Sequence, residues 1–189
     1  GEAPTDLLDL ARNVLADDKV LYHGHAIAAV SALTEAAAES ALQLIEVDYE
    51  VLPPVMDVAD AMQPDSPVLH KDMFTQGLAD APTAASNIAS RMELKKGDTE
   101  AGFAAAEVVV ERDFYTPTVH QGYIEPHATT VKIDEDGQAM VWASTQGHFD
   151  VRASLAKLLN MDLGKIKVIA SEIGGGFGGK TTVYLEPVA

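Results

Sequence analysis

Apolar positions along this chain change their period several times, and each change predicts an element. Lys19-Val20-Leu21-Tyr22-His23-Gly24 and Ala26-Ile27-Ala28-Ala29-Val30-Ser31-Ala32 are two short apolar runs around Gly24. They predict two strands joined by a turn. Thr34 stands before the alanine-rich stretch Glu35 to Leu44, which predicts an N-cap and a helix with Leu42 and Ile45 on its apolar side. Val47 to Leu52 alternates apolar and charged residues, the period of a half-buried strand, and Pro53-Pro54 stops it. Strand, helix and strand in that order predict a small α+β unit of about seventy residues, placed at 1–72.

Between roughly Asp72 and Gly97 the periodicity dissolves into small polar residues with Pro82, Ser86, Asn87 and Ser90, read as a surface linker over 73–97. A second unit then spans 98–189. Asp98 caps a short helix through Ala105, and Val108 to Tyr115 reads as a strand. Ala128 to Asp134 and Gln138 to Ser144 predict a hairpin turned by Glu135-Asp136-Gly137. Phe149 to Leu159 predicts an amphipathic helix with Val151, Leu155, Leu158 and Leu159 inward, ending near Asn160. Lys165 to Ala170 is the last strand. The closing Val183-Tyr184-Leu185-Glu186-Pro187-Val188-Ala189 reads as a sequence cut in mid-element, so the second unit is expected to be incomplete.

That last strand leads into Ile173-Gly174-Gly175-Gly176-Phe177-Gly178-Gly179-Lys180-Thr181-Thr182, the most informative stretch of the chain. Glycine permits positive φ and close approach to the backbone, at an entropic cost that a simple turn would not require so often. Successive N–H groups in such a loop form a concave nest for anionic oxygens. Gly174, four residues and then Gly179-Lys180-Thr181 also satisfy the literal pattern of a phosphate-binding P-loop. A P-loop requires a following helix and an acidic strand end for magnesium, and the few residues after Thr181 include Pro187. A nucleotide-binding protein using Gly174 to Thr181 is therefore the alternative rather than the leading reading.

Other clusters weigh less. His120-Gln121-Gly122-Tyr123-Ile124-Glu125-Pro126-His127 holds two histidines and a glutamate, but no helical face unites them. The preferred reading is that Glu125 and His127 hydrogen-bond loop backbone near the second core. His23 and His25 flank Gly24 and are too few for a metal site, and His70 and His148 have no partner visible in sequence. Trp142-Ala143-Ser144-Thr145-Gln146 ends a strand with a polar triplet before a helix. Two roles stand open there: Ser144 or Thr145 as a helix cap, or Gln146 as an amide offered to a site shared with the glycine loop. The residues alone do not choose.

Bulk properties exclude several classes. The 189 residues are 47% hydrophobic and 22% charged, ordinary for a globular protein. Against 13 Lys and Arg stand 29 Asp and Glu, a net charge of −16 without a compensating basic patch, which disfavours nucleic acid. No apolar run approaches the length of a membrane span. With no cysteine, thiolate metal sites, Fe–S clusters, disulfides and a thiol nucleophile are excluded on this chain. The start, Gly1-Glu2-Ala3-Pro4-Thr5-Asp6, is acidic and polar and carries no secretory signal, so cytoplasmic placement is expected.

With Gln146 and Gly174 to Lys180 in view, the chain resembles the molybdenum-binding subunit of the xanthine dehydrogenase and aldehyde oxidase family. Tyr22 to Val30 resembles the family's opening strand pair. Leu44-Ile45-Glu46-Val47-Asp48-Tyr49-Glu50-Val51-Leu52-Pro53 is similar to the strand that closes its small α/β hammerhead domain. Gly97-Asp98, Ile124-Glu125-Pro126-His127, Ser144-Thr145-Gln146 and the glycine loop recur in order. The resemblance implies an α+β fold, a hammerhead domain followed by the first part of a molybdopterin-binding domain.

It also implies a molybdopterin cofactor. Gly175, Gly176, Phe177 and Gly178 would set backbone N–H groups against its oxygens, and Gln146 would contact the metal's oxygen-ligand region. Family chemistry is hydroxylation of an electron-poor carbon in an N-heterocycle or aldehyde, with oxygen from water. Electrons leave through Fe–S clusters and usually FAD, which a cysteine-free chain would leave to partner subunits or domains. Thr181 stands where xanthine-oxidising members resemble Gly-Lys-Glu; it is read as substrate-adjacent, and xanthine itself does not follow. The family's catalytic base is a glutamate in the second half of the subunit. No carboxylate of this chain inherits that role, so the isolated chain is expected to be inactive.

Overall fold

The computed structural model describes residues 7–189, and the acidic start, Gly1 to Asp6, lies outside them. In chain order the described residues form α1 (Leu7–Val14), α2 (Glu35–Leu42), α3 (Val58–Ala61) and α4 (Thr99–Ala105). Then come β1 (Thr129–Ile133), β2 (Ala139–Ala143), α5 (His148–Leu158), a 3-10 turn over Leu163–Lys165 and β3 (Ile166–Ala170). The fold class is α+β, as expected. By their contacts the described residues make two compact units, one of residues up to Ile45 with Pro117–Ala189 and one of Glu46–Thr116.

The sheet belongs to the first unit. β1 and β2 pair antiparallel with Val131 opposite Val141, through the turn expected at 135–137. Gly137 sits there at a φ of 76°, its N–H donating to Asp134 O at 2.8 Å while Asp134 N–H donates to Gln138 O at 2.9 Å. β3 lies parallel to β2 on its other side, so the strand order is β1-β2-β3. A parallel pair needs a crossover, and α5 supplies it.

Pleat and helix period converge on one core. β2 buries alternate residues, Ala139, Val141 and Ala143, and β3 buries Ile166 and Val168. α5 sets Val151 and Leu155, four residues and about one turn apart, on that face with no more than 1% of either exposed. Leu10 and Val14 of α1 pack against the same cluster with the same spacing, and Val183 closes it after the glycine loop. Leu158 packs at the margin as expected, but Leu159 is 44% exposed because the helix ends at Leu158. Asn160 follows at a positive φ of 49°, where asparagine is tolerated.

Two caps match the sequence. Thr34 Oγ1 accepts from Ala37 N–H at 3.2 Å and Asp98 Oδ1 from Ala101 N–H at 2.9 Å. A third appears only in the structure: Asp57 Oδ1 accepts from the N–H groups of Ala59 and Asp60 and starts α3.

The strands expected at 19–24, 26–32, 47–52 and 108–115 do not form among the described residues. Gly24 does turn the chain, at a φ of 86° with His25 N–H donating to Tyr22 O. Val47, Tyr49 and Val51 keep their alternation in an exposed backbone with no ladder partner. Period-2 patterning reports that a segment can be half-buried; a strand also needs a neighbour to exchange hydrogen bonds with.

In the second unit, residues 73–97 hold neither helix nor strand, yet they are tied down. Asn87 accepts from Leu69 N–H and donates to the carbonyls of Ala61 and Pro67. Thr75 donates to Ile88 O at 2.7 Å, and an isolated parallel bridge joins Gln76 to Ser90. A side-chain amide with several backbone partners orders irregular chain as a turn would.

Candidate functional site

Because β2 and β3 run parallel with Ala143 beside Ala170, the segments that leave their carboxyl ends emerge side by side. One is Ser144-Thr145-Gln146, the other leads through Ser171 to Gly174–Thr181. Ser171 N–H donates back to Ala143 O at 3.2 Å and keeps the two chains together for one more residue.

The polar triplet is spent on the loop and on β1, not on capping α5. The N-cap of α5 is Gly147, without a side-chain cap bond. Ser144 exchanges hydrogen bonds with Ala128. Thr145, buried, donates its hydroxyl to Lys180 O at 3.2 Å and accepts from Gly147 N–H. Gln146 N–H donates to the same Lys180 carbonyl at 2.8 Å. Its side-chain Oε1 accepts from Gly178 N–H at 3.1 Å and Lys180 N–H at 3.2 Å. An amide atom facing two N–H donors must be the oxygen, so the amide orientation is fixed and Nε2 keeps its two donors free of any such partner among the described residues.

Within the loop, Gly179 N–H donates to Gly176 O at 2.8 Å, a tight turn around Phe177 and Gly178. Phe177 sits at a φ of 51°, uncommon for a side-chain-bearing residue, with its ring largely exposed. Gly178 has a φ of 88° and open space where a Cβ would be, so its backbone conformation alone demands glycine. At Gly176 the constraint is space, since a Cβ there would collide with the Gln146 side chain. The N–H groups of Gly175, Gly176 and Phe177 donate to no acceptor among the described residues. Consecutive unspent N–H donors are what an anion-binding nest requires.

Beneath the loop lies a group that sequence reasoning only partly saw. Glu125 accepts from Gly174 N–H at 2.9 Å, and its own N–H donates to Gly174 O, so the expected bonding of Glu125 to loop backbone is observed. The same oxygen, Oε2, accepts from Lys180 Nζ at 2.8 Å. That hydrogen bond, and then Gly174 N–H, hold the Glu125 carboxyl below the usual carboxylate range. The Lys180 side chain is wholly buried, with its ammonium 4.9 Å from the Tyr123 ring centroid. Tyr123 OH lies 3.0 Å from His127 Nε2, and His127 packs on Tyr184 with ring centroids 4.4 Å apart. Burial, and then the Lys180 charge, lower the His127 pKa. Nothing in spacing links residues 123, 125 and 180; the motif Ile124 to His127 was the only signal.

Remaining candidates fall elsewhere. His120 accepts from Gly122 N–H, and Thr181 donates its hydroxyl to Gly178 O at 3.2 Å. His25 stacks on Tyr22, accepts from Leu21 N–H at Nδ1 and donates from Nε2 to Arg12 O at 2.6 Å. The P-loop alternative is overturned. Turns rather than a helix follow Thr181, and the lysine that should reach phosphates is inside the protein on Glu125. Among the described residues no helix is long and apolar enough to cross a membrane.

The chain is similar to known proteins over most of its length. The family model for the molybdopterin cofactor-binding domain matches residues 81–189. That for the aldehyde oxidase and xanthine dehydrogenase a/b hammerhead domain matches residues 3–53. A probable xanthine dehydrogenase subunit of Bacillus subtilis is 35% identical over 93% of this chain and 22% of its own length. The nicotinate dehydrogenase large molybdopterin subunit of Eubacterium barkeri is 35% identical over 91% of this chain and 37% of its own. The crystal structure of a Cu,Mo-CO dehydrogenase in the carbon monoxide reduced state superposes with a TM-score of 0.76 at 34% identity, over 93% of this chain and 22% of that one. The chain thus spans between about a fifth and two fifths of these relatives. The unspent donors at the carboxyl ends of β2 and β3 therefore lie in a molybdopterin cofactor-binding domain, and the chain belongs to the aldehyde oxidase and xanthine dehydrogenase family.

Proposed function

We propose that this chain is part of a molybdenum hydroxylase subunit, an oxidoreductase in which Gly175, Gly176, Phe177 and Gln146 hold the molybdopterin cofactor, while Gly178, whose N–H was expected to join them, spends it on Gln146 and shapes the loop. The observation that carries the reading is the row of unspent N–H groups at Gly175, Gly176 and Phe177 beside a Gln146 amide whose oxygen is already engaged. Donors of this kind suit oxo and phosphate oxygens, and a loop tied at several points keeps them from swinging. When bound, the cofactor supplies the redox chemistry that hydroxylates an electron-poor carbon with oxygen from water.

This chain's residues bind and orient. Gln146 Nε2 offers a neutral donor, and Phe177 presents an apolar ring at the loop tip. Thr181, its hydroxyl on Gly178 O, is read as substrate-adjacent through the loop it buttons. A base for proton abstraction is assigned to no residue here, so the isolated chain is expected to be inactive. An N-heterocycle or aldehyde substrate is supported by relatives named for xanthine and nicotinate, both N-heterocycles. Fe–S and FAD groups on partner subunits or domains belong to the same proposal, supported by relatives that are themselves subunits. Cytoplasmic placement and the division into 1–72, 73–97 and 98–189 belong to the same proposal, with the family-model matches at 3–53 and 81–189 supporting the division.

The test is molybdenum and pterin content of the complete subunit carrying Gly176→Ala. The new methyl group collides with Gln146 and displaces the amide or the loop, so content should fall several-fold against wild type. Full occupancy in a well-folded variant would overturn the assignment.

A further inference from the structure

A second tier of residues decides whether the nest keeps its shape. The loop from Gly174 to Lys180 has no secondary structure to hold it, and its middle donors must stay unspent to bind a ligand. Its two ends are nevertheless joined through one atom: Glu125 Oε2 accepts from Gly174 N–H and from Lys180 Nζ. Gly174 is also packed directly on Glu125, since a Cβ there would lie 2.6 Å from Glu125 Cβ. Tyr123 lines the underside, close to Gly175 and Gly179 and under the Lys180 ammonium.

We infer that Glu125 and Lys180 are a positioning pair, a charged strut that clamps both ends of the glycine loop so that the Gly175, Gly176 and Phe177 N–H groups stay available to the cofactor. The inference rests on the cofactor reading for its purpose, but the strut itself is a property of the protein. A wholly buried ammonium is costly unless paired, and replacing such a pair with an apolar side chain often leaves overall stability unchanged. The contribution of Lys180 is therefore geometric: it turns the loop's C-terminal end inward while its carbonyl takes Thr145 and Gln146. The lysine that resembles a phosphate ligand in sequence holds the loop from behind.

The experiment uses the complete subunit with Lys180→Met, Glu125→Gln and the double variant, and Glu93→Gln as a control in the exposed Lys95–Glu93 pair. Lys180→Met and the double variant leave no unpaired buried charge, so they remain readable if Glu125→Gln fails to fold. Amide hydrogen exchange is read in peptides over Gly174–Lys180 and over α5. Loss of a charge-assisted anchor should speed exchange in the loop by about ten- to a hundredfold and leave α5 unchanged. Lys180→Arg should restore most of the protection, and cofactor content should follow loop protection across the series. Unchanged loop exchange in folded Lys180→Met and double variants overturns the strut. Exchange that rises equally in α5 also overturns it, because the pair would then only support the fold. A wild-type subunit with a protected loop but no pterin would instead overturn the cofactor reading and leave the strut standing.

Discussion

Gln146 and Gly178, 32 residues apart, meet through a 3.1 Å hydrogen bond from the Gly178 N–H to the Gln146 side-chain oxygen. With Lys180 N–H on the same oxygen, one amide fixes its own orientation and the exit of the glycine loop together.

Truncating that amide should therefore cost more than one contact. Gln146→Ala strands two backbone N–H groups, a loss of about 1–3 kcal/mol in local stability. Gln146→Glu keeps the acceptor and removes the free NH₂ donors. If those donors serve the cofactor, both variants should lose it, while loop exchange should quicken in the alanine variant alone. Pterin content and amide exchange measured side by side check this.

Gly178 and Gly176 should fail in different ways. At a φ of 88° with open space around it, Gly178 should accept asparagine more readily than valine, which adds about 1–2 kcal/mol of backbone strain. At Gly176 the obstacle is the Gln146 side chain, so Gly176→Ala should add little further loss of loop order in a Gln146→Ala background. Denaturation curves with a double-mutant comparison read both effects.

Acid should loosen the site in two steps. The folded His127 pKa is lowered by burial and by Lys180, so its neutral form is the one the fold favours. That contribution is present above the unfolded value of about 6.5 and is lost as pH falls through the lowered folded value. The Glu125 carboxyl is lowered by Lys180 and Gly174, so its stabilisation is present above the ordinary carboxylate value and is lost as pH falls through its folded value. His127→Gln should remove the upper step, and Lys180→Met should shrink both, leaving the burial share at His127 and the Gly174 share at Glu125, as read by loop exchange against pH.

Nucleotide should do nothing. Millimolar ATP or GTP with magnesium should leave the melting temperature unchanged, because the Lys180 side chain is wholly buried and paired with Glu125 rather than offered to phosphates. A magnesium-dependent rise that Lys180→Ala abolishes would contradict this geometry.

By itself, the sequence determined the local features. Caps at Thr34 and Asp98, the turn at Gly137, the apolar stripe of Val151 and Leu155 and the demand for glycine at Gly178 depend on chemistry within a few residues. Motif order also carried the family and, through it, the glycine loop and Gln146. Only tertiary structure decided what distant residues do to one another. Strand patterning at 47–52 and 108–115 could not say whether a ladder partner would be present, since alternation encodes a face and not a neighbour. No spacing rule brings Glu125 to Lys180 across 55 residues; parallel pairing of β2 with β3 places the glycine loop beside Gln146, and the fold around that edge brings Glu125 beneath it. The lysine's role turned on burial: in solvent it would match a phosphate motif, and in the interior its charge has one partner and one task.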